Sequence, residues 1–211
     1  MRDSVRDRVL NVLRLGFGLL AAVALGVQAH RSATLDLSMA NFFSYFTNLS
    51  NMAGVVVLLV GGTLGLLGRG RVPDLVRGAV ALYLTITGLV YLVALSDYDL
   101  GPLLPWVNGV LHRTMPLVLL ADWLIDPPRR PISRQQALSW LLFPLVYLPY
   151  TLIRGAVTDW YPYPFLDPRH PGGYGRVAVA CTLVTLAFVG VGAALVWAGN
   201  RLGAGREAVG G

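Results

Sequence analysis

The sequence is poor in charged residues and contains a single cysteine and no lysine. Charged side chains account for 13% of its 211 residues, whereas 55% are hydrophobic. So few polar side chains cannot coat a water-facing domain of this size, which excludes a soluble fold and makes lipid the expected main solvent. A lone cysteine also excludes a disulfide within the chain. Cys181 lies in an apolar stretch, where we expect it to act as a small buried hydrophobe.

The basic and histidine residues lack the patterns of three common kinds of binding site. All 17 basic residues are arginines and the net charge is +6, but they lie mainly between apolar segments rather than in a phosphate-tracking patch. No His, Asp and Glu residues have metal-ligand spacing. Because only His112 of the three histidines lies inside an apolar run, bis-histidine haem ligation is disfavoured. We therefore expect no nucleic-acid partner, no metal and no cofactor.

Six apolar runs have about the length needed to cross a membrane. A hydrocarbon core of about 30 Å takes roughly 20 helical residues. The connectors between the runs are rich in Gly and Pro, which interrupt helices, and also contain most of the arginines. We predict an all-α, polytopic membrane protein in which residues 1–211 form a single domain, a six-transmembrane-helix bundle. The predicted spans are residues 9–29, 42–67, 73–95, 104–125, 136–157 and 176–197.

The arginines are unevenly distributed between the two ends of these runs. Twelve lie on the side of the two chain ends, one lies inside the fourth run, and four lie on the other side: Arg31, Arg154, Arg169 and Arg176. Since arginine-rich connectors stay in the cytoplasm, both termini should be cytoplasmic. The first run also has the pattern of a secretory signal, because three arginines precede it and small residues follow near Ala29.

Polar side chains at the start of the second run are informative, since a membrane anchor has no need of them. The three- and four-residue spacing of Ser44, Thr47 and Asn51 predicts that they share one helical face, with Asn48 and Ser50 beside it. One interpretation is structural: helical threonine bonds its upstream carbonyl, and Ser and Asn hold helices together. The other is that this face lines a reactive pocket.

The fourth run contains the one histidine predicted to lie within the membrane. Counting about 1.5 Å per residue from the outer ends places Thr47 roughly 8 Å and His112 roughly 12 Å deep, so that the two can share a layer. A hydroxyl beside an imidazole is the minimal arrangement for nucleophilic acyl transfer. Asp122 is about 15 Å from His112 along the helix, too far to orient the imidazole, and is expected to mark the inner membrane interface.

Three segments together carry a resemblance to a known family. The run Phe42–Asn51, FFSYFTNLSN, looks like the signature of the bacterial branch of the androgen-induced and androgen-dependent membrane protein family. His112 together with Met115-Pro116 and Asp122-Trp123 resembles the fourth-span pattern of that family, and the run Trp160–Asp167 resembles its last outer loop. The resemblance covers most of the chain and implies a bacterial protein integral to the cell membrane.

The resemblance also implies an activity and two essential residues. Animal members of the family are intramembrane threonine hydrolases that cleave fatty acid esters of hydroxy fatty acids without a cofactor. Thr47 and His112 match the threonine nucleophile and the histidine base of that family. A lipid ester of this kind partitions into the bilayer, so it would reach an active site in the outer leaflet laterally. In that setting the loop Trp160–Asp167 would be an interfacial cap over the site or a rigid aromatic anchor.

Other polar residues are then candidates for supporting roles. Asn48 and Asn51 are oxyanion candidates, with Ser44 as a further pocket residue. The candidates for binding the substrate carboxylate are Arg113 and Arg154, although Arg113 could instead snorkel outward or pair with Asp97 or Asp99. The alternative function is a small solute or lipid transporter that uses the same buried polar face. The absence of inverted repeats and the scarcity of charges inside the spans disfavour it.

Overall fold

The computed structural model describes residues 5–98 and 102–207. Within these ranges the chain forms helices and no β-strand, which confirms the all-α prediction. Two π-helical turns, Tyr91–Leu95 and Val110–Thr114, and two 3₁₀ turns, Ser139–Leu141 and Pro164–Leu166, lie between or after α-helices. The α-helices are α1 (Val5–Thr34), α2 (Met39–Phe42), α3 (Phe46–Leu66), α4 (Asp74–Val90), α5 (Pro105–Gly109), α6 (Met115–Ile125), α7 (Arg134–Leu138), α8 (Leu142–Thr158) and α9 (Gly173–Glu207).

Five stretches of the described chain are long and apolar enough to span a membrane, which supports the membrane-protein prediction. They are Val5–Thr34, Phe46–Leu66, Asp74–Leu95, Arg134–Thr158 and Gly173–Ala204. The remaining predicted span, residues 104–125, corresponds to α5, a π turn and α6 in direct succession. It is helical from Pro105 to Ile125 but divided into short pieces, and it is not one of the five.

The prediction was wrong about the start of the second span. A continuous helix from residue 42 was expected, but α2 ends at Phe42 and α3 begins only at Phe46. Ser44 lies in the intervening turn, where its backbone N–H donates to the Asn41 carbonyl and its Oγ donates to the Ala40 carbonyl at 2.6 Å. Local hydrogen bonding of this kind competes with helix continuation. Ser44 therefore does not share a helical face with the residues of α3.

The first and last spans are longer than predicted. The first was expected over residues 9–29, but α1 extends from Val5 to Thr34, and the turn that follows contains Asp36 at a φ of 52°. The last was expected over residues 176–197, but α9 extends from Gly173 to Glu207. Hydropathy marks where a helix crosses the apolar core, whereas the helix itself continues until its backbone hydrogen bonding is interrupted.

Helix α4 forms the centre of the bundle. It packs against α3, α6 and α9. In the stretch Asp74–Leu95, 61% of the most apolar 18 residues are buried, against 11% in Gly173–Ala204, so α9 lies at the outside of the bundle. Close approaches fix the arrangement: a side chain at Gly88 would meet Pro116 of α6, and one at Gly18 of α1 would meet Leu59 of α3. These glycines let the helix backbones approach, as small residues do between membrane helices.

An ion-pair network closes the bundle at the end where α1 and α4 begin and α6 finishes. The Asp122 carboxylate accepts from Arg14 Nε at 2.6 Å and from Arg77 Nη2 at 2.8 Å, and all three side chains are buried. Asp126 pairs with Arg14 at 2.7 Å, and Asp74 pairs with Arg71 at 2.6 Å. The network ties α1, α4 and α6 together, and Asp122 is its centre rather than an isolated interfacial carboxylate.

The charge state of this network is set by its arginines. Burial opposes the charged form of Asp126, but the guanidinium groups of Arg77, Arg14 and Arg71 outweigh it and lower the pKa of Asp126 to about 2. The carboxyl group is therefore ionised at neutral pH, and its negative charge balances the positive charge of the arginines around it.

Candidate active site

A cavity of about 490 Å³, whose wall mixes polar and apolar side chains and which we call the polar cavity, lies at the other end of the bundle from the ion network. On α1 its lining begins at Gln28, 14 residues after Arg14 of the network, or about 21 Å along the helix. The cavity is bounded by the end of α1, the turn between α2 and α3, the π turn of residues 110–114 and the loop of residues 160–167. Its polar lining includes Gln28, Ser32, Asn41, Thr47, Asn48, His112, Tyr163 and Asp167.

Thr47, the predicted nucleophile, lies in the first turn of α3 and lines this cavity. Its side chain is buried, and the phenol oxygen of Tyr163 lies 3.4 Å from its Oγ1. The same phenol oxygen accepts the backbone N–H of Thr47 at 3.2 Å. First-turn N–H groups have no partner within a helix, so Tyr163 supplies one and fixes the loop over Thr47.

His112, the predicted base, occupies the middle of a π turn and lines the same cavity. Its ring stacks on that of Tyr91 at 4.7 Å between centroids, and Tyr91 begins the other π turn. Asn108 Nδ2 donates to the Tyr91 hydroxyl at 2.9 Å, which fixes that ring. His112 Nδ1 is buried without a hydrogen bond of ordinary geometry, although the backbone of Asn108 interacts with the imidazole. π turns insert a residue and redirect the side chains around it, often at functional sites.

The structure places Thr47 and His112 on the wall of one cavity, but no direct hydrogen bond joins them among the described residues. Asn51 links the two elements that carry them. Its Nδ2 donates to the Thr47 carbonyl at 2.9 Å and to the Leu111 carbonyl at 3.1 Å, one residue before His112. A bound substrate or a water in the cavity can contact both side chains, and catalytic hydrogen bonds often form only in the substrate complex.

The other three pocket candidates near the start of the second span, Asn48, Asn51 and Ser44, differ in their position relative to the cavity. Asn48 lines the cavity, and its Nδ2 uses one hydrogen on the Phe42 carbonyl at 2.8 Å, which leaves the other for a ligand. Asn51 has no amide hydrogen left, so it positions the two backbones rather than donating to an oxyanion. Ser44 lies outside the cavity lining, and its Oγ is 2.9 Å from the Tyr150 hydroxyl.

The two arginine candidates lie in different surroundings. Arg154 packs on the ring of Trp160 at 4.9 Å, and its Nη2 donates to Asn41 Oδ1 at 2.6 Å. Because Trp160 and Asn41 line the cavity, the guanidinium lies directly behind its wall, and its buried Nη1 has no partner among the described residues. Arg113 is exposed and lies over the Tyr91 ring at 5.6 Å, outside the cavity lining.

Of the two aspartates that were predicted as ion-pair partners of Arg113, the structure describes only Asp97. Among the described residues no ion pair joins Arg113 to Asp97, whose Oδ1 accepts from Ser96 Oγ at 3.4 Å. Asp99, the other predicted partner, lies outside the described residues. The exposed position of Arg113 agrees with an outward-pointing side chain.

The loop Trp160–Asp167 covers the cavity and is held at both ends. The Trp160 ring contacts Tyr45 edge to face at 5.3 Å, and Arg176 Nη2 of α9 donates to the carbonyls of Pro164 and Asp167 at 2.8 and 3.0 Å. Hydrogen bonds from Arg169 lower the pKa of Asp167 to about 2, so its carboxylate is charged at the cavity wall. The sequence indicated a cap from its proline and aromatic residues, but not that Tyr163 would reach Thr47.

Neither a cluster of metal ligands among the described residues nor a known relative identifies the site. Within the described ranges, no three His, Cys, Asp or Glu side chains come together as a metal site requires. Compared with known proteins, the chain matches no family model, no curated sequence and no solved structure.

Proposed function

We propose that the protein is an intramembrane hydrolase of lipid esters, specifically fatty acid esters of hydroxy fatty acids. The observation that carries the proposal is that Thr47 and His112 line one polar cavity inside an apolar helical bundle. A cavity of about 490 Å³ is within the ordinary size of a small-molecule site. Its polar wall suits an ester and a carboxylate, while the surrounding helices suit hydrocarbon chains.

The proposed chemistry is acyl transfer through an acyl-threonine. His112 takes the proton from Thr47 Oγ1 as this oxygen attacks the ester carbonyl carbon. The C–O bond to the hydroxy fatty acid then breaks, and the leaving alkoxide receives the proton from His112. Water attacks the acyl-threonine in the same way, releases the fatty acid and restores the Thr47 hydroxyl. The second amide hydrogen of Asn48, which has no acceptor among the described residues, is the oxyanion donor in this scheme, a contribution of roughly 3 kcal/mol where such a donor operates.

The proposed membrane arrangement has six spans with both termini in the cytoplasm. In this arrangement the stretch Pro105–Ile125, the fourth along the chain, is a span in addition to the five long apolar ones. The ion network then lies at the cytoplasmic end, while the cavity opens towards the outer leaflet of the cell membrane. Support comes from the arginine distribution and from the cavity lying at the other end of α1 from Arg14. A lipid ester enters such a site from the bilayer without passing through water.

This topology can be tested by cysteine accessibility. In a Cys181→Ala background, a cysteine at Gly172 should react in intact cells with a membrane-impermeant maleimide, whereas one at Gly205 should react only after permeabilisation. The expectation follows from the arginine excess on the side of the chain ends. Labelling of the Gly205 position in intact cells would overturn the orientation and, with it, the outer-leaflet position of the cavity.

Arg154 is the better placed of the two arginines for binding the substrate carboxylate. We expect Arg154→Ala to raise KM by about tenfold with a smaller change in kcat, since a lost charge-assisted contact made in both ground and transition states weakens uniform binding. Arg113→Ala serves as the comparison and should have a smaller effect, because Arg113 is exposed and lies over Tyr91, which does not line the cavity, whereas Arg154 contacts the lining residues Asn41 and Trp160. The measurement is steady-state kinetics of each variant with a lipid ester that has a free carboxylate and with the same ester after methylation of that carboxylate. Unchanged KM in both variants would remove the arginines from the pocket.

The activity itself is tested with purified protein in liposomes that contain a branched fatty acid ester of a hydroxy fatty acid. We expect release of the fatty acid and the hydroxy fatty acid in equal amounts, measured by mass spectrometry. The ether analogue of the same lipid, which has no carbonyl to attack, controls for non-specific breakdown. No release above protein-free liposomes would contradict the proposal, and uptake of a solute under those conditions would favour the transporter alternative.

A further inference from the structure

A second cavity adjoins the polar one and is almost entirely apolar. It has a volume of about 130 Å³ and lies between α4, α8 and α9. Three residues line both cavities, namely Thr47, Leu95 and Tyr163, and they form the partition between a polar chamber and an apolar groove. The candidate nucleophile therefore has polar surroundings on one side and hydrocarbon surroundings on the other.

The hydroxyl groups on the groove wall are already used within the protein. Thr87 and Thr185 donate to carbonyls one turn earlier in their own helices, and the Tyr147 hydroxyl donates to the Ser44 carbonyl at 2.8 Å. A buried water needs two to four polar partners, and the groove does not offer them beyond the Thr47–Tyr163 pair. The groove is therefore suited to an apolar occupant.

The groove is open towards the lipid-facing side of the bundle. Leu145 of α8 lines it and is 64% exposed, and Val184 of α9 lines it while its neighbour Leu183 is 62% exposed. Along α9 the lining extends from Cys181 to Phe188, a rise of seven helical steps or about 10 Å. An opening of this kind between two membrane-spanning helices faces acyl chains and no aqueous solute.

We propose that the groove binds a single acyl chain, which enters from the bilayer between α8 and α9 with its carbonyl end at Thr47. The inference rests on the proposed function in naming the chain as the acyl part of the ester, but the binding itself does not require hydrolysis. The polar chamber then holds the hydroxy fatty acid part and its carboxylate. The groove then determines which acyl chains bind, and the chamber near Arg154 determines the preference for a carboxylate.

Cys181 provides a direct test because it lines the groove and is the only cysteine of the chain. In detergent, the rate of its alkylation by N-ethylmaleimide is measured with and without the non-hydrolysable ether analogue of the ester. We expect the long-chain analogue to slow alkylation by about tenfold when it is present at about ten times its Kd, since alkylation then requires the free protein. A short-chain analogue with the same carboxylate is the control and should leave the rate unchanged. Equal rates with and without the long-chain analogue would overturn the proposal.

A pair of adjacent substitutions provides the second test. Val184→Trp fills the groove and should weaken protection of Cys181 and lower kcat/KM for long-chain esters by about tenfold or more. Leu183→Trp places the same ring on the exposed side of α9 and should leave both quantities unchanged. Protection of Cys181 without any hydrolysis would refute the hydrolase while supporting the groove. Hydrolysis without protection, and with Val184→Trp as active as the wild type, would refute the groove alone.

Discussion

Thr47→Ala and His112→Ala are each expected to reduce hydrolysis of the lipid ester by roughly a thousandfold or more. The first substitution removes the nucleophile and the second removes the base that takes its proton, and residues that act as a unit lose nearly all turnover when either is removed. The measurement is product release from liposomes at saturating ester. Combining the two substitutions should cost little more than either one alone.

Two further substitutions at Thr47 separate chemistry from packing. Thr47→Val keeps the branched shape and loses only the hydroxyl, so it should be as inactive as Thr47→Ala. Thr47→Ser keeps the hydroxyl but loses the methyl group that restricts its rotamer, so partial activity is expected. Full activity of Thr47→Val with an unchanged melting temperature would refute the mechanism and bring the transporter alternative forward.

Asp122→Asn should be among the most destabilising single substitutions in the chain. Its carboxylate bonds Arg14 and Arg77 at 2.6 and 2.8 Å inside the bundle, and losing one partner of a buried ion pair typically costs 3–5 kcal/mol, so we expect a loss of about that size. The amide is nearly isosteric, so the loss reports charge and hydrogen bonding rather than shape. Thermal unfolding in detergent measures it.

The matched control for this substitution is Asp97→Asn. Asp97 is exposed, and its carboxylate accepts only from the neighbouring Ser96 among the described residues, so the change should stay within about 0.5 kcal/mol. A double variant with Arg77→Gln should lose less than the sum of the single changes, because removing both members of a pair leaves fewer unpaired charges. If Asp122→Asn unfolds at the wild-type temperature, the network does not stabilise the bundle.

The sequence predicted the helical architecture well because hydropathy depends on composition over about 20 residues. Each of the six predicted runs corresponds to a helical stretch, and five meet the length and hydropathy expected of a span. It did not predict the break between Phe42 and Phe46, because that break depends on hydrogen bonds of Ser44 that compete locally with the helix. The π turns at Tyr91 and His112 were also missed, since their stacked rings meet only in the folded bundle.

Only some residues of the candidate site could be predicted from the sequence. Polar residues inside apolar runs drew attention to Thr47 and His112, and the structure places both on one cavity wall. Tyr163 was recognised only as part of an aromatic loop, because no local pattern indicates that its hydroxyl contacts Thr47 across 116 positions of sequence. The pairing of Arg14 with Asp122 was missed for the same reason, since 108 positions of sequence separate the two residues. Contacts of this kind are set by helix packing rather than by local spacing.

The central claim is that the Thr47 hydroxyl is the nucleophile, and covalent labelling tests it most directly. Purified protein is treated with a long-chain alkyl fluorophosphonate, from which an activated hydroxyl displaces fluoride, and the modified residue is identified by peptide mass spectrometry. The account predicts an adduct on Thr47 that is absent in Thr47→Val, strongly reduced in His112→Ala and suppressed by excess lipid ester. An adduct on another residue, or ester hydrolysis that persists with Thr47 unlabelled by the probe, would contradict it.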